Sequence, residues 1–122
     1  MTLLADYCLD GLVAKAAEGT RLDICTQEPT TYAEATTTYT KGNKTGIAAG
    51  AASDRAGGGR KTTVPATSGG SVTGNGTVTH YAWTDPVNSR LLGAAPLSAS
   101  QVVSAGNTFS TSAFDIGVPD AV

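Results

Sequence analysis

The 122-residue chain is long enough for one domain and too short for two. Charged residues make up only 15 % of it, against about 25 % in an ordinary globular domain. A net charge of −2 and a pI near 5.1 exclude the basic footprint of nucleic-acid binding, and no run approaches the ~20 apolar residues of a membrane-spanning helix. With 15 glycines and many Ala, Thr and Ser, few large side chains remain for a core, so neighbouring subunits are expected to supply part of the stability.

In chain order, residues 1–19 read as a short N-terminal helix. Leu4, Cys8, Leu12 and Ala16 recur every fourth position, with Tyr7 and Val13 widening the stripe. Gly19 suits the left-handed position after a helix end. Arg21 to Thr26 alternates, with Leu22 and Ile24 on one face of a half-buried strand that Glu28-Pro29 ends. Residues 29–59 read as an extended Thr/Gly-rich arm or long loop. Residues 29–45 have Tyr32 and Tyr39 as their only large groups, and Gly57-Gly58-Gly59 predicts a mobile segment that orders only in an assembly.

Residues 60–122 read as a β-rich core of short strands with turns between them. Thr77 to Thr84 is the clearest strand, with Val78, His80 and Ala82 on one face and Tyr81 and Trp83 on the other. Asp85-Pro86-Val87-Asn88 is a turn, Ser89–Ala94 and Gln101–Val103 are strands, and Thr108–Ile116 is a further strand after the turn Ala105-Gly106-Asn107. The expected fold is mainly β: one domain, a small β-sandwich or open barrel carrying one short helix.

Catalysis finds little to work with. His80 is the only histidine, and a hydrogen bond to its neighbour Thr79 is the expected role. The 10 carboxylates are scattered, and Asp115 and Asp120 do not form a calcium-loop pattern. Gly57 to Thr62 lacks the spacing of a phosphate loop. No catalytic residue, metal or cofactor is therefore expected. Cys8 and Cys25 lie 17 positions apart; they can close a disulfide, although free thiols are the rule in a reducing cytoplasm. Candidate protein-interface residues are Tyr32, Tyr39, Arg60, Tyr81 and Trp83, the last two serving equally well as core.

Six segments carry a resemblance. They are Ile24 to Ala35 (ICTQEPTTYAEA), Gly59-Arg60-Lys61, Gly76 to Ala82 (GTVTHYA) with Leu91-Leu92, Ala105 to Phe109 (AGNTF), and Ala113 to Ile116 (AFDI). In this order the chain resembles small structural proteins of tailed bacteriophages and prophages, many from alphaproteobacterial hosts. The resemblance implies a virion component made in the host cytoplasm, without enzymatic activity, partnered by the major capsid protein or by neck or tail subunits and by copies of itself. It transfers no site residue. A capsid decoration protein that stabilises the head is the leading expectation. A neck, tail or baseplate ring component and a glycan-binding fibre-base module are the alternatives.

Overall fold

Two-thirds of the strands join one strongly bent sheet, and the rest close over one end of it. The computed structural model describes residues 6–118. The strands are β1 (Arg21–Cys25), β2 (Thr40–Lys44), β3 (Ser53–Asp54), β4 (Arg60–Val64), β5 (Thr67–Val72), β6 (Gly76–Asp85), β7 (Arg90–Val103), β8 (Thr108–Thr111) and β9 (Phe114–Val118). Helix α1 (Asp6–Ala16) precedes them, and a π-helical turn (Glu34–Thr38) lies between β1 and β2. The large sheet has the order β7-β6-β1-β2-β5-β8, and the small one β3-β4-β9, with every pairing antiparallel. The protein is mainly β, a curled six-stranded half-barrel with a small second sheet.

The curl follows from which side chains meet inside it. Ile24, Val72 and Val78 pack together with Leu97 and Val103 of β7 and Phe109 of β8, so both edge strands reach the same cluster. Phe109 closes on Gly70 of β5, where a Cβ would lie 2.4 Å from the ring. At the other end, Leu22 and Trp83 meet Ile47, Val64, Phe114 and Ile116, which joins the small sheet to the large one. On the outer face, Cys25 and Ala82 are covered by Ala35 of the π-helical turn and by Tyr39. The two faces of β1 and β6 are thus both buried, a demanding arrangement for so thin a composition.

One buried charge is built into that outer face. The Asp23 carboxylate is fully buried and receives Arg21 Nε at 2.7 Å, Arg21 Nη2 at 3.0 Å and the Thr40 hydroxyl at 2.7 Å. A two-pronged guanidinium contact supplemented by a hydroxyl is what a carboxylate needs to leave water at tolerable cost.

Several sequence expectations change here. Helix α1 buries Leu9 and Val13, whereas Cys8 and Leu12 of the expected stripe are exposed; Leu4 falls outside the described residues. The helix is apolar on more than one side. Its rotation is set by the Asp10–Arg60 ion pair at 2.7 Å and by Trp83 Nε1, which donates to Ala16 O at 2.8 Å. Gly19 has no positive φ; its role is steric, since a Cβ there would lie 2.4 Å from the Trp83 indole.

Residues 29–59 are only in part a loop. The π-helical turn and β2 belong to the fold, β2 as an inner strand between β1 and β5. Beyond Lys44 the chain is loop-like but tied down: Ile47 is in the core, Ile47 N donates to Thr20 O and Gly50 N to Thr63 O. Gly57, Gly58 and Gly59 make the β3–β4 turn at φ 86, 105 and 98°, three successive left-handed positions that only glycine takes cheaply. The glycine triplet thus sits in a hairpin turn. Ser89–Ala94 and Gln101–Val103 form one long strand, β7, and Thr108–Ile116 splits into β8 and β9 in different sheets.

Candidate functional site

The half-barrel does not close. β7 pairs only with β6, and β8 only with β5, so each leaves a strand edge without a neighbour among the described residues. Between them lies a cleft of about 300 Å³, walled by Pro96–Ala99 and Gln101 of β7 and by Ser110–Phe114. A second hollow of about 260 Å³ continues it along Gly93–Ala95 and β9, the two sharing Tyr81 and Phe114. No charged side chain lines the larger hollow.

The walls are shaped by local irregularities. His80 pairs with Pro96 and Val78 with Gln101, so β7 spends six residues where β6 spends three. The surplus turns Leu97 into the half-barrel and leaves Ser98, Ala99 and Ser100 exposed at the rim. Pro96 lacks an N–H, so this edge cannot pair along its whole length; natural edge strands use such features to limit indiscriminate association. On the opposite wall, Thr111 Oγ1 is buried without a hydrogen-bond partner. A buried hydroxyl left unpaired costs about 1–3 kcal/mol.

The floor is aromatic. Tyr81 and Phe114 have ring centroids 4.6 Å apart, and Trp83 meets Phe114 edge-on at 6.3 Å. Burial pushes the Tyr81 phenol above its ordinary pKa, so it enters the cleft neutral.

The five candidate interface residues do not form one surface. Tyr81 lines the cleft. Trp83 is 1 % exposed and hydrogen-bonded to Ala16, so it is a core residue and no interface anchor. Tyr39 is half-buried over Cys25 and Ala35, with its hydroxyl 3.2 Å from Glu34. Tyr32 precedes the π-helical turn and is half-buried, its carbonyl accepting from the Thr36 hydroxyl. Arg60 is drawn inward by Asp10 and Asp54, at 2.7 and 2.5 Å. Instead, among the described residues the exposed large apolar side chains are Leu12, which the sequence placed on the packing stripe of the helix, Val87 and Val102.

Cys8 and Cys25 are both free. Cys8 is exposed on α1 while Cys25 is buried in β1 under the π-helical turn, so the disulfide their spacing allows does not form. Burial pushes the Cys25 thiol up to about 12. His80 Nδ1 lies 2.8 Å from the Thr79 hydroxyl, the neighbour contact expected of it. Asp115 accepts from Thr63 and Lys61, and Asp120 lies outside the described residues. Among the described residues no three His, Cys, Asp or Glu side chains converge on a common point.

A scan against protein-family models matches none, and searches of curated proteins and of solved structures find no similar chain.

Proposed function

We propose that this chain is a structural subunit of a phage virion, most specifically a capsid decoration protein that binds the head lattice through the cleft between β7 and β8. The observation that carries the reading is the cleft itself: two unpaired strand edges facing each other across an uncharged hollow, with an orphaned hydroxyl in one wall. An extended segment from a neighbouring subunit fits this geometry by strand addition. Main-chain hydrogen bonds then supply affinity, and the Tyr81–Phe114 floor takes an apolar side chain. The exposed Leu12 beside Cys8 on α1, and Val102 near the end of β7, offer further apolar contact area for a packed assembly.

Composition supports the same reading, since a low-charge chain with a thin core gains from burial between subunits. The glycan-binding alternative is disfavoured: Trp83 is in the core and Tyr81 lies half-buried on Phe114, which leaves no open aromatic platform at this site. The neck or tail reading uses the same cleft and differs only in the particle bound.

Mass measurement and co-sedimentation test the proposal. The purified chain is expected to self-associate or to pellet with purified heads. A protein that remains monomeric at all concentrations and pellets with neither heads nor tails refutes it. Pelleting with tails alone replaces decoration by the tail reading.

A further inference from the structure

The turn between β5 and β6 carries chemistry that the assembly reading does not use. It contains Asn75, exposed and followed by Gly76, the one asparagine of the chain with a glycine after it. Three features converge there. Gly76 has no side chain to keep its backbone nitrogen away from the Asn75 side-chain carbon. Ala105 N–H donates to Asn75 Oδ1 at 2.8 Å, which polarises the side-chain amide. Lys41 crosses the turn: its carbonyl accepts from Thr73 N at 2.8 Å and Gly74 N at 3.3 Å. The Lys41 side chain follows, its Cε 3.2 Å from where a Gly76 Cβ would stand and its Nζ 3.8 Å from a Gly74 Cβ.

We propose that Asn75 is a self-modifying residue, its amide converted to a carboxylate by the backbone nitrogen of Gly76 and then by water. The Gly76 nitrogen loses its proton to solvent hydroxide, and its electron pair forms a bond to Asn75 Cγ. Negative charge gathers on Oδ1, where the Ala105 N–H receives it, while the Lys41 ammonium lying along the turn adds positive charge nearby. The tetrahedral centre collapses by breaking the bond to the side-chain nitrogen, which takes up solvent protons and leaves as ammonia. Water then opens the five-membered imide at either carbonyl, giving aspartate or its β-linked isomer. The balance is one water in and one ammonia out. Each event adds one negative charge to a chain of net charge −2, and the β-linked product lengthens the backbone where β6 begins.

The other asparagines serve as internal controls. Asn43 is half-buried in the inner strand β2, Asn88 donates its side-chain amide to Asp85 at 2.8 Å, and Asn107 is followed by the branched Thr108. The experiment is peptide mapping by mass spectrometry after incubating native protein at mildly alkaline pH, with the urea-unfolded chain in parallel. Asn75 is expected to convert first, and to lose less rate on folding than Asn43 and Asn88. Lys41→Met, checked for retained fold by circular dichroism, is expected to slow it by about two- to fivefold, the size of an exposed charge contribution, and Lys41→Arg to restore the rate. Conversion at any other asparagine before Asn75 overturns the proposal. So does folding that slows Asn75 as much as Asn43, or a folded Lys41→Met protein with an unchanged rate.

Discussion

Replacing Gly19 by alanine tests how α1 is locked to the sheet. A glycine with ordinary φ usually gains about 0.4–1 kcal/mol on becoming alanine, because the unfolded chain loses freedom. Gly19 has no positive φ, so backbone strain does not oppose the change. The added Cβ, however, would stand 2.4 Å from Trp83 Cε2 and Nε1, about 1 Å inside the ~3.5 Å contact distance. The indole cannot step aside, since it packs on Leu22, Ile47 and Val64 and its Nε1 is bonded to Ala16 O. Overpacking costs about 1–3 kcal/mol, and losing that hydrogen bond about 1 more, for a total near 3 kcal/mol. For a domain of this size that lowers Tm by about 12 °C. Trp83, the only tryptophan, reports urea unfolding directly by fluorescence. In a Trp83→Phe background, read by circular dichroism, Gly19→Ala is expected to cost less than 1 kcal/mol, a coupling of about 2 kcal/mol. A Gly19→Ala protein as stable as wild type, or strict additivity with Trp83→Phe, refutes the steric argument.

Three further outcomes follow from the buried groups. Arg21→Met strands the Asp23 carboxylate and is expected to destabilise by about 3 kcal/mol in urea titration; a change under about 1 kcal/mol contradicts the pairing. With a chromogenic disulfide reagent Cys8 reacts at once, and Cys25 only at the rate of unfolding. Because burial holds Cys25 up at about 12, stability also falls as pH rises above the ordinary thiol range, where only the unfolded chain ionises. Glu34, Asp85 and Asp115 are held below the usual carboxylate range, chiefly by hydrogen bonds from Thr30, Asn88 and Thr63 respectively. Their contribution is present above the unfolded carboxylate pKa and lost as pH falls through the folded one. Acid titration of Tm is therefore expected to decline below about pH 4, and Asn88→Ala to move part of that decline upward.

What could be read from residues alone was what depends on near neighbours. β1 and most of β6 alternate cleanly, and Asp85-Pro86-Val87-Asn88 turns as expected because Asp85 accepts from Val87 N and Asn88 Nδ2. Alternation failed at Val78, which the irregular pairing with β7 turns onto the face of Ile24 instead of that of Ala82. β2 was illegible, since Thr40-Lys41-Gly42-Asn43-Lys44 has no apolar side chain to carry a period. It lies inside the sheet because Gly42 lets β5 approach, a Cβ there falling 2.6 Å from Ser71 O. Tyr81 was seen as a candidate, but its cleft was not. That hollow exists only because β7 and β8, first and last in the sheet order, are brought face to face by the curl.

The most direct measurement of the assembly reading is co-sedimentation of wild-type and Ala99→Asp protein with purified phage heads. Ala99 is exposed at the rim of the uncharged cleft, so a carboxylate there leaves the core untouched while opposing an incoming strand. Wild type is expected to pellet with heads at a saturating ratio, and Ala99→Asp to stay in solution at unchanged Tm. Equal pelleting of the two proteins contradicts the cleft as the contact, and wild type that binds neither heads nor tails nor itself contradicts the structural role.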